Sequence, residues 1–370
     1  MMSRRSRLFL ASLLICVLST MAVPAQVDAQ ARVRTAPVPK AVPVPPKKSN
    51  EQLEKEIVER HIRLIEDVDV VLDYIPYDQA EAKCVGCHVA YAGTPIVPTG
   101  TEHAKCLKSW EAFYSKPEID VRVVFGYGDE SRESVVDDPL TSQILIDQLT
   151  KPCASNVAAC GFKRSIDDAE LFEKVVKGPS GTSHTVKLRL VTSAYSSSDV
   201  INRAFLSDQE RKSAHAKQTF LKGIEQADAL FYVGHARDGG GPDFSPAKRN
   251  ADGTINYPYY HRNKPGLEEL TAAMSLAKKS PKIMGLLACN SDRWRKRFSG
   301  LAPKSGLILS STEKIASEVV LAQVYGALDA ILWKRCENSF NESLNPVPKQ
   351  EYAGSKIQKI TLSNFFDQAR

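Results

Sequence analysis

Two apolar runs, each closing on one reactive side chain, constrain this chain more than any other feature. They are Ala229-Leu230-Phe231-Tyr232-Val233-Gly234-His235 and Lys282-Ile283-Met284-Gly285-Leu286-Leu287-Ala288-Cys289. Runs this short and apolar read as buried strands, and the stretch between them is long enough for a crossover joining parallel neighbours. A thiol attacks as its thiolate, and an imidazole within hydrogen-bond reach can take its proton. Cys289 and His235 at neighbouring strand ends therefore make a minimal acyl-transfer site.

The flanking sequence supplies the rest of an α/β alternation. Val121 to Tyr127 reads as a β-branched strand entering a glycine turn, and a helix is expected from Leu140 to Leu149. A second helix is expected from Asp167 to Val176, then an alternating strand from Thr185 to Val191. Ser207 with Glu210 has capping-box spacing for a helix running to Gln226. Beyond the Cys289 run come a strand over Gly306 to Ser310 and a helix over Ser317 to Trp333. Strands separated by helices predict an α/β domain, a mainly parallel sheet covered on both faces. In such sheets chemistry collects beyond the carboxyl ends of the strands, where this register places His235 and Cys289.

Arg4, Arg5 and Arg7 precede an apolar run from Leu8 to Val23 with small residues after it, the pattern of a signal peptide over residues 1–29. Residues 30–50 are proline-rich and read as a semi-rigid tether in extended conformation. A cysteine-containing region is expected over 51–118, the α/β domain over 119–335 and a C-terminal extension over 336–370. The mature protein is expected to be exported, periplasmic or secreted, with no stable membrane span after signal cleavage. A formal charge of +6, part of it in the leader and tether, gives nucleic-acid binding no special support.

The order of elements, with one strand ending in His and another in Ala-Cys, resembles the caspase-like (clan CD) cysteine peptidases over roughly Ile119 to Arg335. The resemblance implies a three-layer caspase-like domain and an endopeptidase acting on peptides or proteins without a cofactor. It also implies His235 as general base and acid, Cys289 as covalent nucleophile, and nearby main-chain amides holding the oxyanion. Ala236 stands where the family commonly has Gly, and Leu-Ala-Cys-Asn-Ser replaces the Gln-Ala-Cys-Arg-Gly run of caspases proper. Ala236, Arg237, Asp238 and Gly239 after the histidine, with Asn290, Ser291 and Asp292 after the cysteine, are candidates for substrate contact. The alternative is that Arg237 and Asp238 brace their turn.

Cysteine parity bears on the nucleophile. Of eight cysteines, Cys16 leaves with the leader, and the remaining set of Cys84, Cys87, Cys106, Cys153, Cys160, Cys289 and Cys336 is odd. In an exported protein one thiol then stays unpaired, and Cys153 with Cys160 is the easiest bridge. Cys84-Val85-Gly86-Cys87-His88 has the Cys-x-x-Cys-His spacing of covalent haem c attachment, with His88 as iron ligand. Cys84, Cys87, His103 and Cys106 also have spacing compatible with tetrahedral zinc. Disulfides are the third reading of the same residues. Of the other histidines, His61, His184 and His215 read as locally bonded or solvated, and His261, in the aromatic-rich segment Tyr257 to His261, reads as packing a loop, with lining a cleft as the alternative.

Overall fold

The computed structural model describes residues 101–128, 136–153, 157–298, 306–312, 315, 317–344 and 360–361. The expected leader, tether and Cys84-to-His88 motif lie outside these residues. Helix α1 (Thr101–Phe113) leads into β1 (Glu118–Phe125), and α2 (Asp137–Thr150) follows. Next come β2 (Lys163–Arg164), β3 (Leu171–Lys177), β4 (Ser183–Thr192), α3 (Asp199–Ala204), α4 (Leu206–Gln226) and β5 (Ala229–Val233). After α5 (Tyr257–Asn263) and α6 (Pro265–Leu276) the chain forms β6 (Ile283–Leu287), α7 (Asp292–Phe298) and β7 (Leu307–Ser311). The last elements are α8 (Ser317–Trp333), α9 (Glu337–Leu344) and β8 (Ile360–Thr361).

The strands make one eight-stranded sheet in the order β2-β3-β4-β1-β5-β6-β7-β8. The central run β4-β1-β5-β6-β7 is parallel, and β2, β3 and β8 join antiparallel. Side chains alternate across a strand. On one face Val121, Val123, Phe231 and Leu309 pack with Phe113 of α1, Leu145 of α2, Leu328 of α8 and Phe340 of α9. On the other Val124, Leu230, Tyr232 and Met284 pack with Phe220 of α4, Leu270 of α6 and Trp294 of α7. Both faces are apolar because both are covered, which gives the three layers of the expected α/β class.

The first core crosses the boundaries expected at 118 and 336. Trp110, Phe113 and Tyr114 from before β1 share it with Phe340 and Leu344 from the C-terminal segment. A disulfide joins Cys106 of α1 to Cys336, the Trp110 indole donates to the Arg335 carbonyl at 3.1 Å, and the Tyr114 hydroxyl donates to Ile331 O at 2.9 Å. Behind them Arg335 and Asp329 form a fully buried ion pair at 2.9 Å. Asp329 also accepts the amides of Ala158 and Ala159 at 2.7 and 3.0 Å, anchoring the loop closed by the expected Cys153–Cys160 bridge.

Two local expectations are corrected. The helix expected over Asp167 to Val176 is instead the strand β3, hairpinned to β4 through a turn at Gly178 to Thr182. Only Phe172 of β3 is buried, so this sheet-edge segment carries too little apolar patterning to announce its period. The capping side chain near α4 is not Ser207, which lies inside that helix. Ser198 caps α3 instead, its hydroxyl accepting the Ile201 amide at 3.4 Å.

Candidate active site

Val233 of β5 and Leu287 of β6 are register partners in the parallel sheet. His235 and Cys289 each lie two residues farther on, so adjacent strands deliver them to the same rim. Both line one cleft at the carboxyl ends of the strands. The Gly234 amide reaches across to Leu287 O at 3.2 Å, a last ladder bond immediately before the histidine.

Cys289 is the one free thiol among the described cysteines, and it is partly exposed. The Ile315 amide donates to its sulfur at 3.3 Å, while the thiol lies 3.6 Å from Ile315 O. The sulfur is thus held by the segment entering α8. The next residue, Asn290, sits in the left-handed region at φ 51°, which turns the chain sharply out of β6 into α7.

The flanking residues are split by burial. Arg237 is 3% exposed, and its guanidinium donates to Asp243 at 3.1 Å and to Tyr127 O at 2.9 Å. It braces the turn, the alternative given above. Ala236 is buried, Gly239 half-buried, and exposed Asp238 faces His261 at 3.8 Å. Ser291 is buried, donating to Leu286 O and accepting the Ser311 amide, which ties the end of β6 to β7. Asp292 accepts the Ser310 hydroxyl at 3.2 Å. None of Ala236, Arg237, Asp238, Gly239, Asn290, Ser291 or Asp292 is among the residues lining the cleft.

The cleft's other walls come from elements that sequence reasoning had not joined to it. The loop after β1 contributes Gly126 and Gly128, and the first turns of α2 contribute Asp137, Asp138 and Thr141. Apolar walls come from Phe125, Val233, Leu287 and Val320. Asp138 accepts the amides of Ser193 and Ala194 at 3.0 and 2.9 Å and that of Gly128 at 3.5 Å. Burial nevertheless pushes its carboxyl up to about 7, against the opposing pull of those donors. The Asp-Asp-Pro start of a helix following the first strand was a readable signal, but only the β1–β5 adjacency brings it to the histidine.

The zinc set is corrected at one member: the Cys106 sulfur is bonded to Cys336, leaving no thiolate to join Cys84, Cys87 and His103. Among the described residues no cluster of His, Cys, Asp and Glu forms a metal-ligand group, and no described helix is long and apolar enough to cross a membrane. No protein-family model matches this chain, and no curated protein or solved structure matches it either.

Proposed function

We propose that this chain is an exported cysteine endopeptidase of caspase-like type using a Cys289–His235 dyad. The observation that carries the reading is the shared cleft. The unpaired thiol and the imidazole reach it from register-matched parallel strands, while four other cysteines are tied up in disulfides. In the reaction Cys289 Sγ attacks a peptide carbonyl carbon and its proton passes to His235. Collapse of the tetrahedral adduct breaks the C–N bond, and His235 protonates the leaving amine. Water then loses a proton to His235 and attacks the thioester, releasing a carboxylic acid and restoring the thiol. Main-chain amides beside the two residues are the groups available to hold the oxyanion.

Labelling with thiol-directed peptide probes tests the dyad. The probe is expected on Cys289, lost in Cys289→Ala and sharply reduced in His235→Ala. Undiminished labelling of either variant excludes the mechanism.

A further inference from the structure

The hydroxyl of Tyr232 lies beneath the candidate base. Tyr232 is the fourth residue of β5 and fully buried, with its ring packed against Phe220, Phe244 and Trp294 at centroid distances of 5.8, 5.4 and 6.3 Å. Those contacts fix the ring, and the hydroxyl extends past the end of the strand. It donates to the His235 carbonyl at 2.8 Å and accepts the Asp243 amide at 2.9 Å. One oxygen thus closes the loop between residues 235 and 243. Arg237 reinforces the closure from inside, bonding both Asp243 and the carbonyl of Tyr127 beyond β1.

The space for that hydroxyl is made by glycines. A β-carbon on Gly126 would stand 2.4 Å from the Tyr232 oxygen, and one on Gly234 would stand 2.9 Å from it. Contacts this close force something to move, so both strand ends leave room for a phenol at this point. Burial also raises the phenol's pKa well above its ordinary range, keeping the group a donor wherever the protein is folded. The His235 main chain is consequently gripped on both sides, through the Gly234 amide on the Cys289 strand and through Tyr232 below.

We infer that Tyr232 is a positioning residue for His235, its hydroxyl setting the backbone from which the imidazole addresses Cys289. The inference rests on the dyad reading above. A proton acceptor works only within hydrogen-bond reach of its donor, so a small displacement of the histidine backbone uncouples it from the thiol.

The test is the rate at which iodoacetamide alkylates Cys289 in the unreduced protein, followed at that residue by mass spectrometry between about pH 5 and about pH 9. His235→Ala defines the uncoupled profile, losing reactivity on the acidic side. Tyr232→Phe, which removes one oxygen, is expected to move to that profile, with alkylation near neutral pH slowed on the order of tenfold. Gly234→Ala keeps the tyrosine but crowds its hydroxyl, and is expected to show the same shift; it serves as the second variant should Tyr232→Phe not fold. A rate raised at every pH in both variants, the mark of general loosening of the fold, would also count against the positioning role. Wild-type profiles in Tyr232→Phe and Gly234→Ala, with His235→Ala displaced, would overturn the positioning role alone. A wild-type profile in His235→Ala itself would overturn the dyad, and this inference with it.

Discussion

Asp138 shows how far a side chain's surroundings can outweigh its type. Three amides favour its charged form, yet burial dominates and holds the carboxyl near 7, above its ordinary 3.8. The folded state therefore binds this proton more tightly than the unfolded chain. Its contribution to stability is greatest below about pH 4 and declines as pH rises through about 7, by a total on the order of a few kcal/mol. The free energy of unfolding of the wild type relative to Asp138→Asn should accordingly fall between about pH 4 and about pH 7 in denaturant titrations and level off above that. A difference independent of pH would place the proton elsewhere. Arg335 faces a partner, Asp329, that is wholly enclosed and whose carboxyl burial likewise pushes up, against the pull of the guanidinium and the Ala158 and Ala159 amides. Arg335→Ala leaves a carboxylate without its counter-charge and is expected to cost about 3–5 kcal/mol by the same titration. Replacing both members with apolar residues should recover much of that loss.

At the scale of elements, the parts legible in the sequence were those with a single unambiguous environment. β5, β6 and β7 are buried on both sides and read as short apolar runs, and α8 read as a helix from its apolar spacing. β3 was misread because it lies near the sheet edge, where Glu173, Lys174 and Lys177 interrupt the alternation. The joining of α1 to α9 was not legible at all, because cysteine counting gives parity and not partners. Cys106 and Cys336 are 230 residues apart in sequence, and their bridge fastens the first described helix to the start of the last. Closing so long a loop is expected to contribute about 2–5 kcal/mol through the unfolded chain. The Cys106→Ala, Cys336→Ala double variant should therefore unfold at lower temperature in calorimetry while retaining native circular dichroism at low temperature. An unchanged midpoint would mean that the aromatic packing of Trp110 on Phe340 suffices without the bridge.

At the scale of the whole molecule, topology decides what the cleft contains. The two candidate reactive residues were legible because each ends its own apolar run, but their surroundings were not. β1 is distant from β5 in sequence and adjacent to it in the sheet, so the acidic start of α2 reaches the cleft only through strand order. Among the described lining residues, Asp137 and Asp138 are the acidic side chains, no Lys or Arg is present, and the walls between are apolar. A substrate side chain with an aliphatic stem and a cationic head suits such a slot better than a carboxylate does. Matched fluorogenic peptides that differ only in Arg or Asp before the scissile bond should separate by at least about tenfold in kcat/KM, in favour of Arg. Because Asp138 gains its charge as pH passes about 7, that preference should widen from about pH 6 to about pH 8, and Asp138→Asn should abolish the widening. Equal turnover of the two peptides would remove the carboxylates from recognition and leave Asp138 as the latch that ties the Ser193 and Ala194 amides to α2.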